Sequence, residues 1–363
     1  MDSQAQALVA LHTAFWNRTL KEPIINSGLT ALRRFEMTPA LPPEWESQDN
    51  LILKPELLSP GNLQPSPVSM GGANPLCGQV VFNTLPPYAR LPWVAGIMGC
   101  DLQVSVASRI VWPLSYASDN WYELENQGFA PRLEWLDKLL EFVRYTVEHY
   151  SAQCVPTLDP VARGPGDLIM HILGMERLYL GFYDHPNEVK RLMDQITELY
   201  IRWGRAQMAL IPKVYGGYCN FYGLWSPGTI IRTQSDYAIN LSTKVFNEFM
   251  LPSAMKVVDA FDYPVFHTHS ADPRIGKWLL GLENLKAIEV SLDPGGPPIE
   301  KLIPLWNRIL EKKFLIIIGP VTQSQLDLMV SSLSPCGLML DTEIVAAEEL
   351  ATAWEYERKG KSK

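Results

Sequence analysis

Short apolar runs and amphipathic segments alternate along the C-terminal part of the chain. Each apolar run is followed by a segment in which apolar residues recur with helical period. The successive strand and helix pairs are 264–269 with 274–283, 285–292 with 299–311, 314–319 with 322–333, and 337–341 with 346–358. Such βα units bury parallel strands behind a layer of helices. The pattern therefore predicts an α/β fold.

The middle of the chain supplies further elements of the same kind. Two long helices follow Pro131 and Pro186, and each carries apolar residues on one face. The runs 109–112 and 154–158 have the composition of strands. Together with the C-terminal units they predict a (β/α)8 TIM barrel over residues 93–363, with functional groups at the C-terminal ends of the strands.

Residues 1–92 differ from the rest. A helical pattern over 5–20 is followed by frequent prolines between residues 39 and 92, too many for long helices or central strands. The segment is also too apolar for a disordered linker. We expect an ordered N-terminal arm that packs on the barrel, covers its site or reaches a second copy of the chain in a homodimer. The sequence leaves these three alternatives open.

Composition and charge narrow the class of protein. The chain has 363 residues, 47% hydrophobic and 19% charged, which suits one large globular domain. A net charge of −8 argues against a nucleic-acid or anionic membrane surface, and no apolar run approaches the roughly 18 residues that span a membrane. Five scattered cysteines without a Cys-x-x-Cys pair favour a reducing cytoplasm. The basic segment 357–363 is interpreted as a solvated end.

Two histidines at alternate positions of one predicted strand are the clearest chemical signal. His267 and His269 share a strand face, because strand side chains alternate with period two. Glu289 lies in the next apolar run, and Cys336 precedes a later one. Imidazole, carboxylate and thiolate are the ligands of tetrahedral zinc. The alternative is a hydrogen-bonded histidine pair with an unrelated buried cysteine.

A glycine-punctuated aromatic segment, 215–226, follows the apolar run 208–214. In a barrel it would be a βα loop near the active face, and its Tyr222 and Trp225 would either line a ligand pocket or fill the core. Asp236, in a weakly charged stretch, is either a pocket acid or a loop cap.

Several phrases occur in an order that resembles the uroporphyrinogen decarboxylase superfamily. That superfamily also holds corrinoid-dependent, zinc-containing methyltransferases and is similar in fold to cobalamin-independent methionine synthase. The resemblance covers roughly residues 90–358. Its phrases are Gly164-Pro165-Gly166-Asp167, Gly174-Met175-Glu176-Arg177-Leu178, Asp184-His185-Pro186-Asn187-Glu188-Val189, Gln234-Ser235-Asp236, Leu241-Ser242, Phe246-Asn247-Glu248-Phe249, Leu251-Pro252 and the His-x-His strand.

The resemblance implies a ligand set with one departure. In the methyltransferase branch the zinc strand is His-x-Cys, followed by a glutamate and later by Cys-Gly. Here His267, Glu289 and Cys336 match, but His269 stands where the family has cysteine. A neutral imidazole in place of a thiolate makes the site less anionic. The zinc would then be a stronger Lewis acid, and a zinc-bound thiolate a poorer nucleophile.

The function that the resemblance implies is zinc-dependent methyl transfer between a small-molecule donor or acceptor and a corrinoid (cobalamin). The chain has no Asp-x-His-x-x-Gly corrinoid phrase, so a partner protein would carry the corrinoid. Asp236 would orient substrate or transfer a proton, and Tyr222 and Trp225 would shape the pocket. Two alternatives stay open. One is a decarboxylase or lyase, although the Arg-Gln-Ala-Gly-Arg-Tyr signature of the decarboxylases is absent; the other is a barrel that binds a tetrapyrrole or small ligand without turnover.

Overall fold

The computed structural model describes residues 2–26, 50–62, 75–87, 91–105, 110–115, 130–159, 163–293 and 295–350. Much of the proline-rich arm (27–49 and 63–74), most of the predicted helix 346–358 and the basic segment 357–363 lie outside these ranges. The predictions for those segments therefore stay predictions.

The described residues form both helices and strands, which alternate strictly only over residues 263–344. The helices are α1 (Ser3–Trp16), α2 (Trp93–Ile97), α3 (Leu133–Tyr150), α4 (Pro165–Leu173), α5 (Met175–Asp184), α6 (Pro186–Met208), α7 (Thr243–Val245), α8 (Leu251–Asp259), α9 (Pro273–Leu279), α10 (Ile299–Lys312) and α11 (Gln323–Ser332). The strands are β1 (Ile24–Asn26), β2 (Ile52–Leu53), β3 (Thr84–Leu85), β4 (Asp101–Ser105), β5 (Ile110–Leu114), β6 (Val155–Pro156), β7 (Tyr218–Cys219), β8 (Trp225–Ser226), β9 (Ile230–Gln234), β10 (Tyr263–His269), β11 (Ala287–Ser291), β12 (Phe314–Val321) and β13 (Leu338–Ile344).

A parallel sheet of six strands, in the order β1-β13-β12-β11-β10-β9, forms the main wall of the fold. The predicted βα alternation is confirmed here, because α9, α10 and α11 follow β10, β11 and β12. Along β10, Val265 joins a core cluster made mainly of strand residues, whereas Phe266 joins the cluster shared with the helices. Odd-numbered positions of β10 therefore face the same side as Val265.

The described strand pairings do not close an eight-stranded ring: the parallel sheet ends at β1 and at β9. The described part of the predicted strand 109–112, residues 110–112, belongs to β5, which pairs antiparallel with β4 in a three-stranded sheet with β2. The apolar run 208–214 is not a strand, because the helical period of α6 carries its buried face through Met208 and the backbone then turns at Ala209. An α/β fold with a parallel sheet is thus what the structure establishes.

The described parts of the arm pack on or pair with elements beyond residue 92. Phe15 and Trp16 of α1 pack on Phe314 and Tyr263, with ring centroids 5.0 and 4.9 Å apart. Phe314 and Tyr263 begin β12 and β10, so α1 covers the N-terminal ends of the parallel strands. Strand β1 extends the sheet beside β13, and β3 pairs with β6. A boundary between arm and barrel at residue 92 stays a prediction.

None of the helices in the described ranges combines the length and the apolar character needed to cross a bilayer.

Candidate metal site

Three neighbouring strands bring polar side chains to one level near their C-terminal ends. His267 of β10 lies opposite Gln234 of β9 on one side and opposite Glu289 of β11 on the other. His269 lies two residues further along β10 and on the same face. The register of the buried parallel sheet thus fixes which polar side chains lie side by side on this face, because a slip by one residue would turn every side chain of a strand to the other face.

Three ligand atoms converge at this level. The Nε2 atoms of His267 and His269 are 3.2 Å apart, and Oδ1 of Asp236 lies 3.9 and 3.4 Å from them. Atoms bound to a tetrahedral zinc ion at ordinary bond lengths lie roughly 3.3 Å from one another. Oδ1 of Asp236 is buried and makes no hydrogen bond of normal geometry to a described residue. The donor set therefore fits a divalent cation.

The opposite nitrogen of each imidazole contacts a carboxylate. Nδ1 of His267 lies 2.5 Å from Glu289 Oε1, and Nδ1 of His269 lies 2.6 Å from Asp293 Oδ1. Metal-binding histidines usually donate their second N–H to such a group, which fixes the tautomer and aims the other nitrogen at the ion. Asp293 is itself held by the Ala271 backbone N–H at 2.8 Å. Both histidines are thus oriented for metal binding through Nε2.

The Glu289 carboxylate contacts two residues, Arg232 and His267. Arg232 donates from Nε to Oε2 at 3.0 Å and from Nη2 to Oε1 at 3.1 Å, while His267 contacts the same Oε1. The Glu289 side chain is fully buried. Burial alone would raise its pKa, but Arg232 and His267 hold the pKa of Glu289 well below its usual range. Glu289 therefore stays ionised and orients His267, and the predicted role as a direct metal ligand is not the one that these contacts support.

The electrostatics of the two histidines differ. Burial and the nearby Arg232 lower the pKa of His267, so its imidazole is neutral and free to coordinate. Burial also lowers the pKa of His269, but its contacts with Asp236 and Asp293 outweigh burial and raise the pKa to about 10. Without a metal ion His269 is therefore protonated at neutral pH, and a bound ion would displace that proton. Burial raises the pKa of Asp236, yet the neighbouring His269 and His267 bring it below the usual range. Asp236 is therefore an ionised oxygen donor.

The N-terminal end of α4 packs against the C-terminal end of β9. A Cβ at Gly164 would lie 2.0 Å from the Gln234 carbonyl oxygen, so only glycine allows this approach. Asp167, in the first turn of α4, accepts from Gln234 Nε2 at 3.1 Å and from the Tyr237 backbone N–H at 3.2 Å. Burial and the nearby Asp236 carboxylate raise the pKa of Asp167 to about 7. The Gly164–Asp167 phrase noted in the sequence thus supports the strand that leads to Asp236.

Cys336 is not brought to this site. It precedes β13, and its Sγ contacts the Leu20 carbonyl oxygen at 3.4 Å, on the side of the sheet's N-terminal strand ends that α1 covers. Its neighbour Gly337 lies against Phe314, the first residue of β12. His267 and His269 lie at the C-terminal end of β10, whereas Cys336 precedes the start of β13, so the parallel sheet holds them at opposite ends. We therefore correct the ligand set: Asp236 takes the place that the sequence analysis gave to Cys336.

Of the two predicted substrate-binding aromatics, Tyr222 lies beside Glu289 and Arg232, whereas Trp225 lies away from them, next to α1. Trp225 packs beneath α1, where its backbone N–H donates to His12 Nδ1 and its indole N–H donates to the Val214 carbonyl oxygen. Tyr222 is fully buried, and burial together with Glu289 raises its pKa well above the usual value. A cavity of about 20 Å³ beside Tyr222 has room for one water molecule. Both aromatics are thus buried among the described residues, and their role in substrate binding stays a prediction.

Residues that sequence reasoning missed complete the site. Asp293 lies four residues beyond Glu289, just past the end of β11, where a parallel strand presents functional groups. Arg232 and Gln234 precede Asp236 at alternate positions, so the polar face of β9 was visible as a period-two pattern within an apolar run. Polar residues at alternate positions of an apolar run are thus the sequence signal that identifies Arg232 and Gln234.

The comparisons with known proteins support the fold. No family model matches the chain, and no curated protein matches its sequence. Five chains of solved structures match. One is a methyltransferase from Methanosarcina mazei, with a TM-score of 0.60 and 13% sequence identity, and the match covers 99% of this chain and 100% of that chain. At this identity the likeness extends to the fold, and kinship with the uroporphyrinogen decarboxylase superfamily stays a prediction.

Proposed function

We propose that the protein is a metal-dependent methyltransferase that moves a methyl group between a small substrate and a corrinoid carried by a partner protein. The observation that carries the proposal is the convergence of His267 Nε2, His269 Nε2 and Asp236 Oδ1 at the C-terminal ends of the strands. The sequence resemblance and the methyltransferase whose fold is similar support the class of reaction.

Zinc suits these ligands. Two imidazoles and one carboxylate leave a fourth position for a substrate atom, as in other catalytic zinc sites. When bound, zinc would supply Lewis-acid chemistry, polarising the substrate oxygen, nitrogen or sulfur to which a methyl group is attached or lowering the pKa of a substrate thiol. Glu289 and Asp293 keep the two imidazoles aimed at the ion.

The composition of the ligand set favours one direction of transfer. His267 is neutral, and Asp236 is the one anionic member of the three. A site with so little negative charge leaves a divalent cation with a net positive charge. Such an ion weakens the bond between a methyl group and a coordinated heteroatom more effectively than it activates a thiolate. We therefore expect the small substrate to be a methylated donor and the corrinoid to be the acceptor.

The site is accessible from the strand ends. The side chain of His269 is 35% exposed and that of Asp236 is 29% exposed, whereas His267 is 7% exposed. A substrate would thus approach from the His269 and Asp236 side. We propose that the corrinoid protein presents its cobalt to the same face, since the strand-start end is covered by α1.

Metal analysis and a corrinoid assay test the proposal together. Protein purified without chelator should contain about one zinc per chain. With reduced corrinoid protein and a panel of methylated alcohols, amines and thioethers, methyl transfer should appear as the change in corrinoid absorption that accompanies cobalt methylation. The signal should disappear in His267→Ala. His149→Ala, which changes an exposed histidine on α3, is the matched control and should retain both metal and signal.

Two results would contradict the proposal. The first is a metal-free protein that retains activity in the presence of chelator. The second is loss of carbon dioxide from uroporphyrinogen with no metal-dependent change in the corrinoid. The contacts of Arg232 disfavour the decarboxylase, because a multiply acidic tetrapyrrole needs cations to hold its carboxylates and this guanidinium is paired with Glu289.

A further inference from the structure

One guanidinium contacts two residues that orient the metal ligands, Glu289 and Gln234. Arg232 lies on β9, two residues before Gln234 and four before Asp236. Its Nε and Nη2 donate to Glu289, and its Nη1 donates to Gln234 Oε1 at 2.7 Å. Its side chain is 13% exposed, and its Cζ lies 5.5 Å from the centre of the Phe221 ring. The position of this side chain is thus fixed by hydrogen bonds to Glu289 and Gln234 and by the Phe221 ring.

Two series of contacts, here called branches, start at Arg232, and the first branch leads to His267. Arg232 holds both oxygens of Glu289, and one of those oxygens contacts His267 Nδ1. The carboxylate cannot rotate without breaking a bidentate pair, which is the most directional ion pair that proteins form. The direction of His267 Nε2 is therefore set by the plane of the Arg232 guanidinium.

The second branch leads to Asp236. A guanidinium only donates, so the Gln234 side chain must turn its carbonyl oxygen to Arg232. The Gln234 amide group then faces two carboxylates, and Nε2 donates to Asp236 Oδ2 at 2.7 Å and to Asp167 Oδ2 at 3.1 Å. With Oδ2 held in this way, Oδ1 of Asp236 is the oxygen that faces the imidazoles. Arg232 thereby decides which oxygen of Asp236 is offered to a metal.

We propose that Arg232 is a positioning residue that sets the geometry of two of the three metal ligands at once, His267 through Glu289 and Asp236 through Gln234. The inference rests on the metal site of the proposed function and goes beyond it. Residue 232 would touch neither metal nor substrate. Its contribution is a rigid, shared orientation of a nitrogen and an oxygen ligand, which a lysine cannot reproduce because an ammonium group lacks the planar fork.

Cobalt(II) titration measures this contribution without catalysis. Binding of cobalt ions by His267, His269 and Asp236 gives visible absorption whose energy and intensity report the coordination geometry. In Arg232→Lys we expect about 10- to 100-fold weaker cobalt affinity, the usual effect of losing a group that orients a ligand. We also expect an altered visible spectrum at saturating cobalt. Arg274→Lys, which breaks another bidentate pair, with Asp272, is the matched control and should change neither.

A double-mutant cycle tests whether the two branches share Arg232. Gln234→Leu cuts only the branch to Asp236 and should weaken cobalt binding on its own. In the Arg232→Lys background the same change should have a smaller effect, because that branch is already released. If the loss of cobalt affinity in the double variant equals the product of the losses in the two single variants, Arg232 and Gln234 act independently. That result would overturn the proposal of a shared residue.

A neutral pair of substitutions keeps the test valid if Arg232→Lys does not fold. Arg232→Met with Glu289→Gln removes both buried charges together, which proteins tolerate better than an unpaired charge. The amide oxygen introduced at position 289 could still accept from His267 Nδ1, while the link to Gln234 is lost. We expect thermal unfolding near that of the unsubstituted protein together with an altered cobalt spectrum.

The outcomes separate this inference from the proposed function. If the unsubstituted protein binds neither zinc nor cobalt, the metal site itself is wrong. If it binds cobalt, and a folded Arg232 variant binds it with the same affinity and the same spectrum, the site stands and the role of Arg232 is refuted.

Discussion

His267 and His269 face each other through Nε2 atoms that are 3.2 Å apart, with their ring planes 79° apart. Each Nδ1 is directed to its own carboxylate, so neither ring can turn to relieve this approach. Two nitrogen lone pairs at such a separation would repel each other, and the proton that the raised pKa of His269 keeps on its ring at neutral pH relieves this repulsion until a cation replaces it. A cation that displaces this proton would find both nitrogens already facing each other, at a spacing that the period of the strand sets.

Removal of any one converging ligand should abolish tight metal binding while the fold survives. His267→Ala, His269→Ala and Asp236→Ala each leave two ligands, and we expect most of the bound zinc to be lost on gel filtration. The sheet should stay folded, because a catalytic site contributes less to folding than a small structural zinc site does. Elemental analysis and circular dichroism measure the two effects. Full zinc occupancy in any of the three variants would remove that residue from the site.

Cys336→Ser is the contrasting variant. Because Cys336 contacts Leu20 at the other end of the strands, we expect zinc content and cobalt affinity to match those of the unsubstituted protein. A cobalt spectrum of the unsubstituted protein with an intense thiolate charge-transfer band would show that the thiol does coordinate.

Asp293→Asn should weaken zinc binding by about 10- to 100-fold without removing a ligand, because the amide no longer fixes the tautomer and orientation of His269. The contact that it changes is 2.6 Å long. Competition with a chromophoric chelator measures the affinity. Asp272→Asn is the control, since Asp272 directly follows Ala271, whose N–H contacts Asp293, but pairs with Arg274. Equal losses in the two variants would point to a general disturbance of the loop.

Gly164→Ala should destabilise the protein and disturb the site, because the new Cβ would lie 2.0 Å from the Gln234 carbonyl oxygen and 2.8 Å from its backbone nitrogen. Backbone cannot move aside as a flexible side chain can. We expect a loss of about 1–3 kcal/mol in the free energy of unfolding, together with weaker zinc binding. Urea unfolding measures the first. Gly61→Ala, whose Cβ would meet nothing closer than 3.8 Å, should change neither quantity.

Acid should loosen the attachment of α1. Burial lowers the pKa of His12 from 6.5 to about 4, although its contact with the Val80 carbonyl oxygen opposes the shift. The unfolded chain therefore binds more protons between pH 4 and 6.5, so the contribution of His12 is complete above pH 6.5 and is lost as the pH falls towards 4. Its full size is about 3 kcal/mol.

Unfolding by urea in the presence of chelator, at several pH values between 4 and 7, tests this effect against His12→Gln. The variant should be less stable at pH 7, where it loses the contacts with Val80 and Trp225. The difference between the two proteins should then shrink as the pH falls. Two parallel stability curves would contradict the assignment to His12.

The strands and the histidine pair were predictable from sequence because both are local. The runs at 264–269 and 285–292 identify β10 and β11, and the spacing of His267 and His269 follows from strand geometry alone. The buried face of α6, from Val189 to Trp203, was predictable for the same reason. Helices and strands formed by one continuous segment can thus be predicted from the local periodicity of apolar residues.

The third ligand and the fate of Cys336 depended on long-range geometry. Whether Asp236 caps a loop or faces the imidazoles depends on how β9 aligns with β10, a pairing of residues about thirty positions apart. Cys336 resembled a ligand by its order in the chain, but order does not reveal at which end of a strand a residue lies. The hydrogen-bond partners of Gln234 and Arg232 could not be predicted for the same reason, since the register across the sheet determines them.

The pairing of β1 with β13 joins segments about 315 residues apart, as the Asn26 and Asp341 side chains do. On a ribosome that adds about 5–20 residues per second, tens of seconds separate the synthesis of these two strands. During that time the aromatic surface of α1, with Phe15 and Trp16, has not yet met Phe314. We expect the nascent chain to depend on chaperones that shield this helix, and the sheet to be completed only after the last strand leaves the ribosome.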